Sequence, residues 1–400
     1  MLKRLLFVDD DPMVLDGLRR SLHGMRQSWE ISFVSSADAA LELLEREPYD
    51  AVVSDMRMPL TDGAALLEMI KERYPDVVRM ILSGQSNHDA VYRSISGAHQ
   101  FLAKPCNPKE LLSRLNQAFT MRDLLANQSL KAVISGMRSL PSLPRLYDEL
   151  TAFLRKENPS LSEIARIISK DVSMTAKILQ LANSAFVGSS GRVSSLVQAL
   201  SLIGTETVRT LVLSVNVFSQ FDSRSHVAAH LPKLWDHSVA VSSLAQRIAN
   251  CENSAKGLAE ESFTAGLLHD IGKLVLLAEM PREYHEIFEA GVSCERDHEQ
   301  RVLGCTHAEI GAYLMSIWGI PLPLVQAVAF HHLPSNAGDT QFSSLTAVHA
   351  ADAILAPNDD PMMDIYYLES LGLSAREPMW RSLAAPVPAV QTPGDHSANA

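Results

Sequence analysis

A histidine and an aspartate adjoin at His269–Asp270 in "LLHDIGKLVL", where an apolar run ends and a glycine and a lysine follow. An imidazole beside a carboxylate suits half of a metal site for phosphate-ester hydrolysis, and equally a polar corner of a helical core; the pair alone decides neither. More such side chains occur nearby: His237 in "WDHSV", His307 in "CTHAEIG", His331 and His332 in "AFHHLP", and Asp352 in "HAADAIL". Each lies on or at the end of an expected helix, beside small or apolar neighbours that mark an inward face. Imidazoles and carboxylates converging in a helical bundle are the ligand types of Zn, Mn or Fe sites, and a dinuclear centre is conceivable. A lone core histidine is more often a hydrogen-bonded packing residue, so the metal reading depends on their number. His298 and His349 lack comparable context and are expected at the surface.

A second set of polar residues follows short apolar runs in the first part of the chain. Asp9 and Asp10 end the first run, Asp55 the third in "VVSDMRMP", Ser83 the fourth in "ILSG", and Lys104 the fifth in "FLAKP". The runs themselves, "LLFV", "ISFV", "AVVS", "RMIL" and "QFLA", alternate with amphipathic stretches of helix length up to about residue 120. That alternation predicts a parallel sheet wrapped by helices, in which sites lie outside the carboxyl ends of the strands. Three carboxylates gathered at one mouth repel each other unless a cation sits among them, and hard oxygen ligands suit Mg²⁺.

From Pro108 to about Gly136 a helical pattern carries Leu111, Leu115, Ala118, Leu125 and Ala132 at near-heptad positions, interrupted by Arg122 and Ser129. This reads as a coupling helix, with a homodimer through it as one use. After residue 138 helix signals dominate. Ser160 and Glu163 are spaced for a capping box, followed by Leu161, Ile164, Ala165 and Ile168 on one face; Met174, Ile178 and Leu181 repeat the theme. Asn183 and Ser184 are expected to end one helix and cap the next, and Gly204, Gly266, Gly272 and Gly311 to allow turns or close helix packing. The division is a sheet domain at 1–120, a helical linker at 121–137, and an all-helical domain at 138–376 with its core ending near 335. A Pro- and Ala-rich tail, 377–400, is expected to be disordered apart from transient docking of Trp380.

Composition bounds the partners. Four hundred residues with 46% apolar content suit two cores, and a formal net charge of −11 with no Lys/Arg-rich run argues against direct nucleic-acid binding. The start, "MLKRLLFVDDDP", is too short in apolar residues for a signal peptide, no later run reaches membrane-spanning length, and no membrane insertion is expected. Cys106, Cys251, Cys294 and Cys305 are scattered as reduced thiols would be, which fits the cytoplasm.

Residues 1–120 resemble the receiver domain of two-component response regulators, on the strength of the acids, Ser83 and the Lys104–Pro105 dipeptide. The resemblance implies a flavodoxin-like α/β domain phosphorylated by a sensor histidine kinase. It makes Asp55 the phosphoryl acceptor, with Asp9, Asp10, Asp55 and the Arg57 carbonyl around Mg²⁺. Ser83 and Lys104 would hold the phosphoryl oxygens, and Phe101 would stand at the aromatic switch position, where plain core packing is the alternative. Residues 130–335 resemble the HDOD family, the HD-related output domain, through "IISKDVSMTAKILQLANSAFVG", "FTAGLLHDIGKLVLL", "HAEIGAYLMSIWGIP" and "AVAFHHLP". Its relatives, the HD and HD-GYP phosphohydrolases, place metal ligands in an H, HD, H, HH, D pattern, implying His237, His269, Asp270, His307, His331, His332 and Asp352 here. Lys273 would take the place of a phosphate-contacting lysine. Two departures oppose hydrolysis: Lys233 replaces an acid of some HD-GYP enzymes, and "LPSNAGDT" follows His332 instead of their recognition loop. HDOD domains serve mainly as output or scaffold modules, so the resemblance implies contact with a downstream protein, a receiver-gated phosphodiesterase being the rival.

Overall fold

Each of the five apolar runs forms a strand. The computed structural model describes residues 2–25, 29–83, 98–104, 107–124, 128–137, 140–142, 144–156, 159–183, 193–205, 207–208, 212, 219–220, 231–252, 255, 257–289, 295–356 and 363–384. Strands β1 (Lys3–Val8), β2 (Trp29–Val34), β3 (Ala51–Asp55), β4 (Val78–Ser83) and β5 (Gln100–Ala103) make one parallel sheet in the order β2-β1-β3-β4-β5. β3 and β4 are buried on both faces, as uninterrupted apolar runs in a parallel sheet must be. Helix α1 (Pro12–Ser21) starts where Asp11 accepts the Met13 N–H at 2.8 Å and Pro12 takes the first turn. That cap gives the third aspartate of "DDDP" a structural task. α2 (Ala37–Arg46) and α3 (Gly63–Arg73) cover one face of the sheet over Leu6, Val8, Val52 and Ile81.

The other face opens into a larger core that continues, through helix α4 (Pro108–Leu124), into the helical half. Leu111, Leu115 and Ala118 of the near-heptad stripe are fully buried there, within the chain. Leu125 lies outside the described residues. Helix α5 (Gln128–Gly136) follows. Short β6 (Pro141–Ser142) pairs in parallel with β7 (Ser219–Gln220), a strand pair that the fading strand signals did not announce.

The helical half comprises α6 (Pro144–Leu154), α7 (Leu161–Ile168), α8 (Val172–Ala182), α9 (Leu196–Ile203), α10 (Leu231–Cys251), α11 (Leu258–Leu268) and α12 (Ile271–Glu279). It continues with α13 (Pro281–Glu289), α14 (Glu295–Leu303), α15 (His307–Ile317), α16 (Leu322–Phe330), α17 (Ser344–Leu355), α18 (Ile365–Ser370) and α19 (Glu377–Ala384). The stripes face inward as expected: Ile164, Ile168, Met174, Ile178 and Leu181 are buried. The Ser160–Glu163 capping box does not form, because Glu163 pairs with Arg166 and the Ser160 hydroxyl bonds Ser162. A reciprocal box forms instead at Thr306 and Glu309, at the start of α15. Asn183 ends α8; its side chain donates to the Val193 carbonyl at 2.8 Å and accepts the Val193 N–H at 2.9 Å. Ser184 lies outside the described residues.

Glycine sets the closest helix contact. A Cβ at Gly272 would lie 1.9 Å from the His307 carbonyl oxygen, so α12 and α15 meet backbone to backbone. Gly266 does the same against Ser242 of α10, where a Cβ would fall 2.7 Å from the Cα.

The end of the chain departs from expectation. Residues 377–384 form α19, and Trp380 is fully buried, with its Nε1 donating to Glu252 at 2.8 Å. Arg376 bonds the same carboxylate at 2.8 Å. The Pro/Ala-rich composition masked this because the anchoring carboxylate is remote in sequence; residues 385–400 lie outside the described set. Trp380→Ala is expected to destabilise the fold by about 3–5 kcal/mol, read as a lower denaturant midpoint, since it empties a buried site and strips a partner from Glu252. An unchanged midpoint would show that α19 is not part of the folded unit.

Candidate functional site

Two clusters of polar side chains are assembled, one at the sheet and one in the helical core. At the carboxyl ends of the strands, Asp9 is almost fully buried and Asp10 exposed, because successive residues past β1 point opposite ways. Lys104 Nζ lies 2.6 Å from Asp9 Oδ2 and is also paired with Asp55. Asp55 Oδ2 accepts the Arg57 N–H at 2.7 Å, and Asp9 Oδ1 the Asp11 N–H at 3.0 Å. Burial raises the Asp9 pKa despite Lys104. Burial also opposes the Lys104 charge, but Asp55 and Asp9 together outweigh it and hold the ammonium above its usual value. Ser83 is buried at the end of β4, where its carbonyl accepts the Lys104 N–H at 2.8 Å. Phe101 is 6% exposed and belongs to the apolar cluster on the face of the sheet that carries α2 and α3. Asp9, Asp10 and Asp55 bring carboxylate oxygens to one mouth, the hard donor type that fits a divalent cation.

In the helical core the seven expected residues converge from five places. α10 brings His237, the α11–α12 corner His269 and Asp270, α15 His307, the end of α16 His331 and His332, and α17 Asp352. His237 Nε2 stands 3.1 Å from Asp352 Oδ1, and His269 Nε2 3.7 Å from the same oxygen. Asp270 faces three imidazoles: Oδ2 is 3.4 Å from His269 Nε2, and Oδ1 is 3.2 Å from His307 Nε2 and 3.9 Å from His331 Nε2. Donor atoms of His307, His331 and His332 lie within 4.8 Å of one another, as do those of His237, His269 and Asp352.

The rings are oriented by their outer nitrogens. His269 Nδ1 donates to the Gly266 carbonyl at 2.7 Å and His331 Nδ1 to the Val328 carbonyl at 2.8 Å, which turns each Nε2 inward. His307 Nδ1 lies 2.8 Å from Glu299 Oε2, the oxygen that also accepts the His307 N–H at 2.8 Å. Glu299 on α14 is fully buried and was not singled out from sequence; a glutamate eight residues before His307 carries no local pattern. His349, expected at the surface, is fully buried: its Nδ1 donates to the His331 carbonyl at 2.6 Å and its Nε2 accepts the Asp364 N–H at 2.9 Å. The misreading came from judging flanking composition, when the apolar stripe of α17 sets burial.

Among the described residues, the buried His269 Nε2 and His331 Nε2 make no hydrogen bond, while the Asp270 carboxylate is ion-paired, Oδ2 with Lys273 Nζ at 3.0 Å and Oδ1 facing His307 Nε2 at 3.2 Å. Unpartnered buried nitrogens are costly, and these two lie with Asp270 in a group whose donor atoms fall within 4.8 Å of one another, the ligand types a divalent metal takes. Burial, with His269 and His307, holds His331 down to about 3, and burial with His331 holds His332 well below its usual value; both keep a lone pair. Burial opposes the Asp270 charge too, but His269 and Lys273 outweigh it and its carboxyl stays well below the ordinary range. Lys273 Nζ lies 3.0 Å from Asp270 Oδ2 and is partly exposed, as are His332 and His237, so the cluster opens on that side. Lys233, one turn before His237, is exposed. Of the cysteines, Cys251 and Cys305 are free thiols, and Cys106 and Cys294 lie outside the described residues. No helix among the described residues is long and apolar enough to cross a membrane.

Comparison with known proteins matches the response regulator receiver domain to residues 5–116 and the HDOD domain to residues 140–334. An uncharacterized protein of Treponema pallidum is 28% identical over 206 residues, 50% of this chain and 39% of that protein. The hydrogenase transcriptional regulatory protein HoxA of Cupriavidus necator is 34% identical over 122 residues, 30% of this chain and 25% of that protein. The chain thus spans well under two thirds of the length of these relatives. Among solved structures, the MmoQ response regulator from Methylococcus capsulatus is 24% identical with a TM-score of 0.48, covering 62% of this chain and 98% of that one. With a five-stranded parallel sheet matched to the first domain and the helical half to the second, this chain belongs to the response regulators that join a receiver domain to an HDOD domain.

Proposed function

We propose that a sensor histidine kinase phosphorylates Asp55 and that the HDOD domain is the output, changing its contacts with a downstream signalling protein. The observation that carries this reading is the Lys104 bridge between Asp9 and Asp55 at the carboxyl end of the sheet. Lys104 neutralises the buried acids in the resting protein. Asp9, Asp10 and Asp55 would hold Mg²⁺, which when bound screens the phosphoryl charge. A phosphoryl group on Asp55 competes for the Lys104 ammonium and the Ser83 hydroxyl, and this rearranges the ends of β4 and β5. The test is a pull-down from native lysate with and without acetyl phosphate, using wild type and Asp55→Asn. A partner set that depends on phosphorylation in wild type alone is expected; identical sets would remove the receiver from control of the output.

The unpartnered inner nitrogens of His269 and His331 favour a second reading, a receiver-gated metal-dependent phosphohydrolase. His237, His269, His307, His331, His332, Asp270 and Asp352 would hold divalent Mn, Fe or Zn, which supplies Lewis acidity toward a phosphate oxygen and activates water. Lys273, at the open side, is placed to meet a phosphate. Glu299 keeps the His307 ring in register and its inner nitrogen basic. Glu299→Gln is expected to weaken Mn²⁺ binding by about 10- to 100-fold in isothermal titration. Unaltered affinity would make Glu299 a folding residue only.

A further inference from the structure

Arg79 on β4 and His99, just before β5, lie at the ends of those strands opposite Ser83 and Lys104. Both are buried. Arg79 Nη2 donates to the Ser135 carbonyl at 2.6 Å, and His99 Nε2 lies 2.8 Å from the same oxygen. His99 Nδ1 accepts the Arg79 backbone N–H at 3.1 Å, which assigns the ring proton to Nε2 and makes it a second donor to Ser135. Burial, reinforced by Arg79, holds His99 well below its usual value, so the ring stays neutral in that tautomer. The carbonyl they grip belongs to the last turn of α5, where it lacks a helical partner and faces the negative end of the helix dipole.

The hydroxyl of the same serine bonds the Tyr313 hydroxyl at 2.7 Å. Tyr313 sits on α15, the helix that begins at His307, and both Ser135 and Tyr313 are fully buried, so water does not replace this bond. α15 is in turn locked to α12 and the Asp270 corner by the Gly272 contact. Nearby, Gln100 Nε2 donates to the Ser316 carbonyl at 2.9 Å, and Gln117 Nε2 to the Ile320 carbonyl at 2.8 Å. Gln100 Oε1, Gln180 Oε1 and Ser316 Oγ are buried without a hydrogen-bond partner, a desolvation cost that a small opening would recover. The seam is therefore polar, tight and incompletely satisfied, as an interface with a second accessible arrangement would be.

We infer that Ser135 is the joint through which the receiver sets the position of α15 and His307: its carbonyl is held by β4 and β5, and its hydroxyl holds Tyr313. Phosphorylation at Asp55 pulls the carboxyl ends of the two strands, their amino ends shift the Ser135 carbonyl, and the hydroxyl passes the shift to α15. This rests on the phosphorelay reading above and assigns the route of regulation to residues that reading does not use.

Hydrogen–deuterium exchange on the full chain, with Mg²⁺ plus beryllofluoride as phosphoryl mimic against Mg²⁺ alone, tests it in wild type, Ser135→Ala and Tyr313→Phe. Each variant deletes one hydroxyl and leaves the carbonyl grip intact. In wild type, peptides spanning Asp55 and peptides spanning α15 both respond, the latter by about fivefold or more in exchange rate. Both variants keep the Asp55 response and bring the α15 response below about twofold, and the double variant matches either single one. An α15 response that survives in both variants, or is missing from a wild type whose Asp55 peptides respond, overturns the joint and leaves the phosphorelay reading standing. No Asp55 response in wild type overturns both.

Discussion

Acetyl phosphate with magnesium is expected to label the wild-type chain and to leave Asp55→Asn at background. The acceptor must be a carboxylate oxygen open to an incoming phosphoryl group, and Asp55 alone of the three acids ends a central strand, within reach of both Lys104 and the Arg57 N–H. Asp9 is engaged in the same way, by Lys104 and the Asp11 N–H, but its side chain is more deeply buried, 2% exposed against 10% for Asp55, and Asp10 is a solvent-facing neighbour. An amide at position 55 keeps an oxygen for the Arg57 N–H, and Lys104 retains Asp9 at 2.6 Å, so the cost in stability is expected at about 1–2 kcal/mol. Loss of labelling is therefore not unfolding, and far-ultraviolet circular dichroism checks that the sheet persists. Labelling of the variant at the wild-type rate would place the acceptor elsewhere.

The other large effect is expected in the helical core. His269→Ala combined with Asp270→Ala removes an inward nitrogen and takes the carboxylate that faces His269, His307, His331 and Lys273 out of the centre. Wild-type protein loaded with Mn²⁺ and desalted is expected to retain about two equivalents by elemental analysis, and the double variant less than about half of one. With a generic phosphodiester as substrate, turnover that disappears in the variant supports the phosphohydrolase reading. A wild type that holds metal without turnover assigns the centre a structural role beneath a protein-contact output. A metal-free, inactive wild type removes the second reading altogether. The seven donors are nearly all carried on helices packed by apolar stripes, so the variant is expected to keep its helical content.

Much of this was legible along the chain. Five apolar runs, each ending in a polar residue, specify a parallel sheet with its acids at one edge, because a buried parallel strand has few ways to be written. The histidines and aspartates of the core were visible too, since imidazoles within apolar stripes stand out against their neighbours. Glu299, His349 and Trp380 were not. Glu299 and Trp380 sit in stretches that look solvated; Glu299 is buried against His307, eight residues on and across the turn between α14 and α15, and Trp380 against Glu252, 128 residues away. Arg79 and His99 carry no local signal of their role, which depends on α5 bringing Ser135 onto them.

Residue order alone determined the local things: which segments are strands or helices, where charge accumulates past a strand, and which side chains carry lone pairs suited to a cation. These depend on periods of two and 3.6 residues and on side-chain chemistry, all short-range properties. Only the tertiary structure decided which nitrogen of each imidazole faces inward, which carboxylate stands behind His307, and that one serine in the linker touches both domains. The rings of His269 and His331 are turned by carbonyls one turn back and Glu299 is eight residues from His307, but where those nitrogens converge, and what Ser135 touches, depends on elements up to 178 residues apart, which no local pattern encodes.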